Sequence, residues 1–158
     1  MLIDTTRFGP IEVDETRIIT IVGGLLGFSQ ATRFALIQTG DETLFYWLQS
    51  VQDPGLAFVV CDPAVFIGEY TIDQVPVREE TRESLGIDAE ADLEAVTQVF
   101  AICNRVGDWL TGNLLGPLVV NLSNCQARQV VLTEKRWSTR QPLLKLAEAQ
   151  PLPLRKSA

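Results

Sequence analysis

The chain has 158 residues, with 13 basic and 20 acidic side chains, a formal net charge of −7 and no histidine. That length and a hydrophobic share of 46% favour one domain with a real core. The acidic balance argues against direct nucleic-acid binding, since phosphate recognition needs clustered Lys and Arg, and without histidine the Ser-His and Cys-His catalytic arrangements are excluded.

Met1-Leu2-Ile3-Asp4 has no basic region and no sustained apolar run, so the expectation is a cytoplasmic protein without a signal peptide or membrane span. Arg17–Val22 reads as a strand closed by Gly23, Gly24 and Gly27, and Arg33–Gln38 as a second closed by Gly40-Asp41. Leu44–Val51 and Leu56–Cys61 flank Gln52-Asp53-Pro54-Gly55, which predicts a hairpin. Both of its strands are apolar on two faces, which places them centrally in a closed or two-layered sheet. Val77–Leu85 is the one predicted helix, with Glu79 paired to Arg82 and Gly86 at the left-handed position that ends helices. Asp88–Asp92 adds a short acidic turn.

Leu93–Cys103, Leu118–Leu122 and Ala127–Thr133 read as further strands, the last two joined by the turn Ser123–Gln126. Beyond Pro142 the prolines limit any helix. The fold class is therefore mainly β: a single-domain small barrel or sandwich over residues 1–143 with one short acidic helix, followed by a flexible tail, 144–158.

The charge is unevenly placed. Glu69–Glu94 holds nine acids against Arg78 and Arg82, a net charge equal to that of the whole chain. Residues 128–158 are net positive. Charge runs are ordinarily solvated faces, and a partner surface is the sharper alternative.

No motif argues for catalysis. Gly27-Phe28-Ser29-Gln30-Ala31 resembles a nucleophile elbow but lacks a histidine base. Asp53 and Asp62 precede proline, where Asp forms turns. Asp88-Ala89-Glu90-Ala91-Asp92 lacks the glycine and register of a calcium loop. Cys61, Cys103 and Cys125 are odd in number and widely spaced, which suits reduced thiols in a core. No catalytic, cofactor or metal site is expected. Trp47 reads as core, while Trp109 and Trp137 flank turns and are candidates for an exposed anchor, with structural packing as the default reading of each.

Several blocks, in order, resemble the FliW family of bacterial flagellar assembly factors. They are Ile18-Ile19-Thr20 with Gly24-Leu25-Leu26-Gly27-Phe28 and Arg33-Phe34, then Phe45–Ser50 with Asp53-Pro54 and Leu56–Val60, then Leu110–Asn121, Arg128–Leu132 and Trp137–Leu143. Leu26, Ser29 and Gln141 depart from the family's usual proline, acid and histidine. The resemblance implies a non-enzymatic protein with two partners, flagellin and CsrA. CsrA is a small dimeric RNA-binding protein that represses translation of flagellin messenger RNA. Flagellin occupies FliW when it accumulates; after export, FliW captures CsrA instead.

On this reading Glu69, Asp73, Glu79, Glu80 and Glu83 are candidates for the CsrA contact, as acids facing a basic partner. Phe28, Trp109, Asn113, Leu114 and Leu115 are candidates for an apolar contact with the amphipathic helices of flagellin. Asn113 and Asn121 have a competing role, bridging backbone at strand ends. The alternatives from other classes are a small-molecule-binding barrel and a carboxylate-dependent enzyme, which a filled interior and dispersed acids respectively would disfavour.

Overall fold

The computed structural model describes residues 1–40 and 43–146. In chain order its elements are β1 (Leu2–Ile3), β2 (Ile11–Glu12), β3 (Ile19–Ile21), β4 (Arg33–Ile37), β5 (Phe45–Ser50) and β6 (Ala57–Cys61). There follow α1 (Glu79–Leu85), α2 (Leu93–Val96), β7 (Thr97–Val106), β8 (Trp109–Gly112), β9 (Leu118–Asn121), β10 (Gln126–Gln129) and β11 (Gln141–Lys145).

Strands β7-β6-β5-β4-β3-β10-β9 are hydrogen-bonded in that order, and a β7–β9 ladder closes them into a barrel. All of these pairings are antiparallel except β3 with β10, which is parallel. The ten-residue β7 serves two neighbours on one edge: its first half pairs with β9, its second half with β8.

Strand alternation sends one set of side chains inward. Ile21, Phe34, Leu48, Val60, Leu118 and Ala127 meet there and are essentially inaccessible. The barrel interior is thus filled by side chains, which counts against a ligand-holding lumen.

The outer face is apolar as well and is covered on three sides. Residues 62–96 cross over Val99, Ala101 and Val119 with Tyr70, Ile72, Val75 and Leu85. The β8–β11 pair brings Leu110, Leu143, Leu144 and Leu146 against Trp47, Val59, Cys61 and Cys103. The β1–β2 corner covers Ala35 and Ile18 with Ile3, Ile11 and Val13. This double-sided burial is why β5 and β6 read as apolar on both faces.

The Asp-Pro-Gly hairpin forms as expected. Asp53 Oδ1 accepts the Gly55 N–H at 3.0 Å, and buried Gln49 donates its amide to Pro54 O at 3.1 Å and Leu56 O at 3.2 Å. Trp47 is core, and so is Trp137, which sits against Tyr70, so the structural reading holds for it and the exposed-anchor alternative does not.

Other expectations need correction. Leu93–Cys103 is not one strand: Asp92 Oδ1 accepts the Glu94 N–H and starts α2, so the strand begins at Thr97. The predicted strand Ala127–Thr133 ends at Gln129, because its neighbour across the ladder becomes Pro117, which has no N–H to give. Leu144–Leu146, assigned to the tail, belong to the fold, since β11 pairs with β8 through Lys145 and Leu146 is buried. The rest of the predicted tail, 147–158, lies outside the described residues.

Candidate partner-binding surfaces

The first surface is built by α1. Thr81 and Leu85 face the core, and Leu85 is fully buried. Gly86 takes the left-handed conformation at φ 69°, and its N–H closes on Arg82 O and Glu83 O. The last helical carbonyl, Leu85 O, accepts the Asn121 amide at 2.8 Å and the Asn124 amide at 3.1 Å. Asn121 also receives Ser123 on its Oδ1, so it bridges backbone.

With Thr81 and Leu85 turned inward, Glu79, Glu80 and Glu83 are left exposed. They share one side of the helix at three- and four-residue spacing, and Glu79 and Glu80 favour its positive N-terminal end. Two of the nearby cations go to neutral acceptors. Arg82 Nη1 donates to Asp88 O at 2.9 Å and Ala91 O at 3.1 Å, and Arg128 Nη1 donates to Ser84 Oγ at 3.3 Å. None of the three carboxylates has an ion-pair partner among the described residues.

Asp73 is exposed in the turn Ile72–Gln74. Glu69 differs from the others because Arg136 holds it at 2.5 Å while lying over the Trp137 ring.

The second surface is one mouth of the barrel. The turn Gly23–Ser29 crosses it, and Gly24 is required there: at φ 71°, a Cβ would sit 2.3 Å from Ser29 O. Leu25 plugs the barrel, while Leu26 and Phe28 project outward at 65% and 46% exposure. Phe28 packs edge-on against Phe58 with ring centroids 5.3 Å apart. Together with Ile102, Asn113 and Arg140 they border a cavity of about 300 Å³. Gln129 fixes the turn, accepting the Leu26 N–H at 2.8 Å and donating to Gly116 O at 2.9 Å.

Of the five apolar-contact candidates, the structure brings Phe28 and Asn113 to this mouth. Trp109 is exposed at the far end of β8, next to Val106 at the hairpin tip. Leu115 is half-buried. Leu114 is corrected, because its side chain is wholly in the core and its carbonyl accepts the Tyr70 hydroxyl at 2.7 Å. Asn113 Oδ1 accepts the Leu115 N–H.

Sequence reasoning missed Leu26, Phe58, Ile102, Gln129 and Arg140 at this mouth. The inward alternation of Phe58 with Val60 was the available signal.

Among the described residues no three His, Cys, Asp or Glu side chains are placed to hold a metal ion. Asp62, like Asp53, serves a turn, accepting the Ala64 N–H at 3.0 Å. Cys61 and Cys103 are buried with sulfurs 3.4 Å apart, and the contact with Cys61 together with burial pushes the Cys103 thiol far up. Such a thiol is inert packing. No helix among the described residues is long and apolar enough to cross a membrane.

The comparisons agree on one family. The FliW protein family model matches residues 2–143. The flagellar assembly factor FliW of Treponema denticola is 35% identical over 146 residues, covering 91% of this chain and 94% of that protein. That of Geobacter sulfurreducens is 36% identical over all of this chain and 96% of its own length. That of Bacillus subtilis is 34% identical, covering 90% and 96%. A crystal structure of the flagellar assembly factor FliW superposes with a TM-score of 0.77 at 32% identity, covering 91% of this chain and 97% of that one. A filled β-barrel carrying an acidic helix, matched over nearly its whole length by these relatives, belongs to the FliW family of flagellar assembly factors.

Proposed function

We propose that this chain is a cytoplasmic, non-enzymatic regulator with two protein ligands, flagellin and CsrA. Bound to CsrA it relieves repression of flagellin messenger RNA; bound to flagellin it releases CsrA. The two ligands are then negatively coupled, and linkage requires each to weaken the other equally.

The observation that carries this reading is α1. Its three exposed carboxylates have no ion-pair partner among the described residues, while Arg82 and Arg128 are engaged with neutral oxygens. An uncompensated acidic face draws in a basic RNA-binding protein and repels the RNA phosphates that compete for it. For flagellin, the Phe28 mouth offers exposed Leu26 and Phe28 as apolar anchors beside a cavity of mixed lining, a combination that suits the apolar face and polar margin of an amphipathic helix. RNA enters only through the partner.

The test is capture of purified flagellin and purified CsrA by the immobilised protein, singly and in competition. Each should bind alone, and rising flagellin should elute CsrA. Failure to bind either would overturn the assignment, and simultaneous binding without loss of affinity would overturn the antagonism.

A further inference from the structure

The barrel wall has a gap. β4 runs five residues, but its neighbour β3 is only three long, and their ladder stops at Ile19 opposite Phe34. Residues 15–17 turn off into a 3-10 turn instead of extending β3. Strand geometry then fixes which main-chain groups are left over. Val51 donates to Arg33 O, so the odd-numbered residues of β4 bond to β5; Ile21 donates to Thr32 O, so the even-numbered ones face β3. Leu36 therefore points its N–H and C=O toward Arg17. The Arg17 N–H is already given to Asp14 O, and no main-chain group among the described residues bonds to Leu36 on that side.

A cavity of about 690 Å³ opens at this spot, at the opposite mouth from Phe28. Its lining comes from both faces of the sheet. Ile19, Tyr46, Phe100 and Val120 belong to the inward set, whereas Val13, Ile18, Ala35 and Ile37 belong to the outer cluster. A pocket for a compact small molecule has no reason to straddle a sheet in this way. A missing piece of strand does, because its alternate side chains need apolar ground on each face. Leu122, at 57% exposure, and half-buried Cys125 form the far rim.

We infer that this gap is a β-augmentation site that takes an extended, apolar segment of a partner polypeptide bearing a Lys or Arg at one end. The unpaired edge of Leu36 supplies main-chain hydrogen bonds, and the two apolar faces hold alternate side chains. Charge sets the partner's flank. Asp14 and the Met1-bound Glu12 line the rim, Glu15 follows Asp14 in the 3-10 turn, and among the described residues Arg17 is the one side-chain cation in the lining. Asp14 keeps its charge, since hydrogen bonds from Thr16 hold its carboxyl below the usual range. A second copy of this chain is a poor occupant. Among the described residues the outer edge of its large sheet is β11, which is interrupted by a bulge and by Pro142, a residue with no N–H to pair.

The test uses the full chain and a short acetylated, amidated peptide alternating valine with threonine and ending in two lysines. Binding is followed by amide NMR and hydrogen exchange. The Leu36 amide should shift and exchange at least about tenfold more slowly at saturation. Methylating the one peptide nitrogen that pairs with Leu36 leaves every side chain in place and should weaken binding about tenfold, as should replacing both lysines with glutamate. Leu122→Arg, a change at an exposed rim position, should lower affinity similarly while leaving the thermal midpoint within the small range of surface substitutions.

Equal affinity for the methylated peptide, or shifts confined to other regions, would overturn the inference. Concentration-dependent dimers without peptide would reassign the gap to a second copy. Binding seen only after residues 147–158 are removed would reassign it to the chain's own C-terminal segment.

Discussion

α1 and the Gly23–Ser29 turn are both short departures from the barrel, but they present opposite chemistry. α1 shows three carboxylates and buries its apolar side completely. The glycine turn shows Leu26 and Phe28 and has one charged neighbour in its cavity, Arg140. The first acts at a distance, through a field that salt screens; the second acts only on contact, by removing apolar surface from water. One region can therefore govern how fast a partner arrives and the other how long it stays.

That contrast can be broken most severely at its structural root. Leu85→Ala deletes the fully buried anchor of α1 and should cost about 2–5 kcal/mol of stability by chemical denaturation. The Phe28 surface should keep its own chemistry in whatever fraction remains folded. An intermediate effect is expected from Phe28→Ala. As an exposed anchor, its loss should weaken flagellin binding by about 2 kcal/mol, roughly thirtyfold, chiefly through faster dissociation. Calorimetry and stopped-flow dissociation read the two quantities, and an unchanged off-rate would remove Phe28 from the contact.

The smallest change is expected from Glu79→Lys with Glu80→Lys and Glu83→Lys. These reversals should slow association with CsrA by several-fold up to about tenfold at low salt and flatten its salt dependence. Unaltered kinetics would exclude these acids from steering.

The parts of this architecture that were legible in the sequence are those specified locally. Asp53-Pro54-Gly55 sets a turn between two strands, and Gly86 ends α1 by a backbone conformation few other residues tolerate. The acids of α1 were readable as a charge run, but the expected Glu79–Arg82 pair is absent among the described residues because Arg82 turns to Asp88 O and Ala91 O.

What escaped depends on partners far away in the chain. β8 has four residues and β11 contains Pro142, so neither carries a strand signature of its own, and each exists because it pairs with the other on an apolar wall. In the sequence Leu114 reads as an apolar partner contact, and Trp137 as an exposed anchor in the alternative to a structural role. They are buried because Tyr70, from the crossover, packs over both positions. The mouth around Phe28 likewise draws Phe58, Ile102, Gln129 and Arg140 from four separate segments, a convergence that only closure of the barrel creates.

The parallel pairing of Thr20 with Gln126 joins positions more than a hundred residues apart and is the longest-range ladder of the barrel. Loop-closure entropy makes such a contact late and slow compared with the hairpins β4–β5 and β5–β6. During synthesis β3 must wait as a bare edge until residues 126–129 have left the ribosome. Of the whole barrel, this stretch is the one whose delayed pairing sets how long the nascent chain is open to sticking to its neighbours.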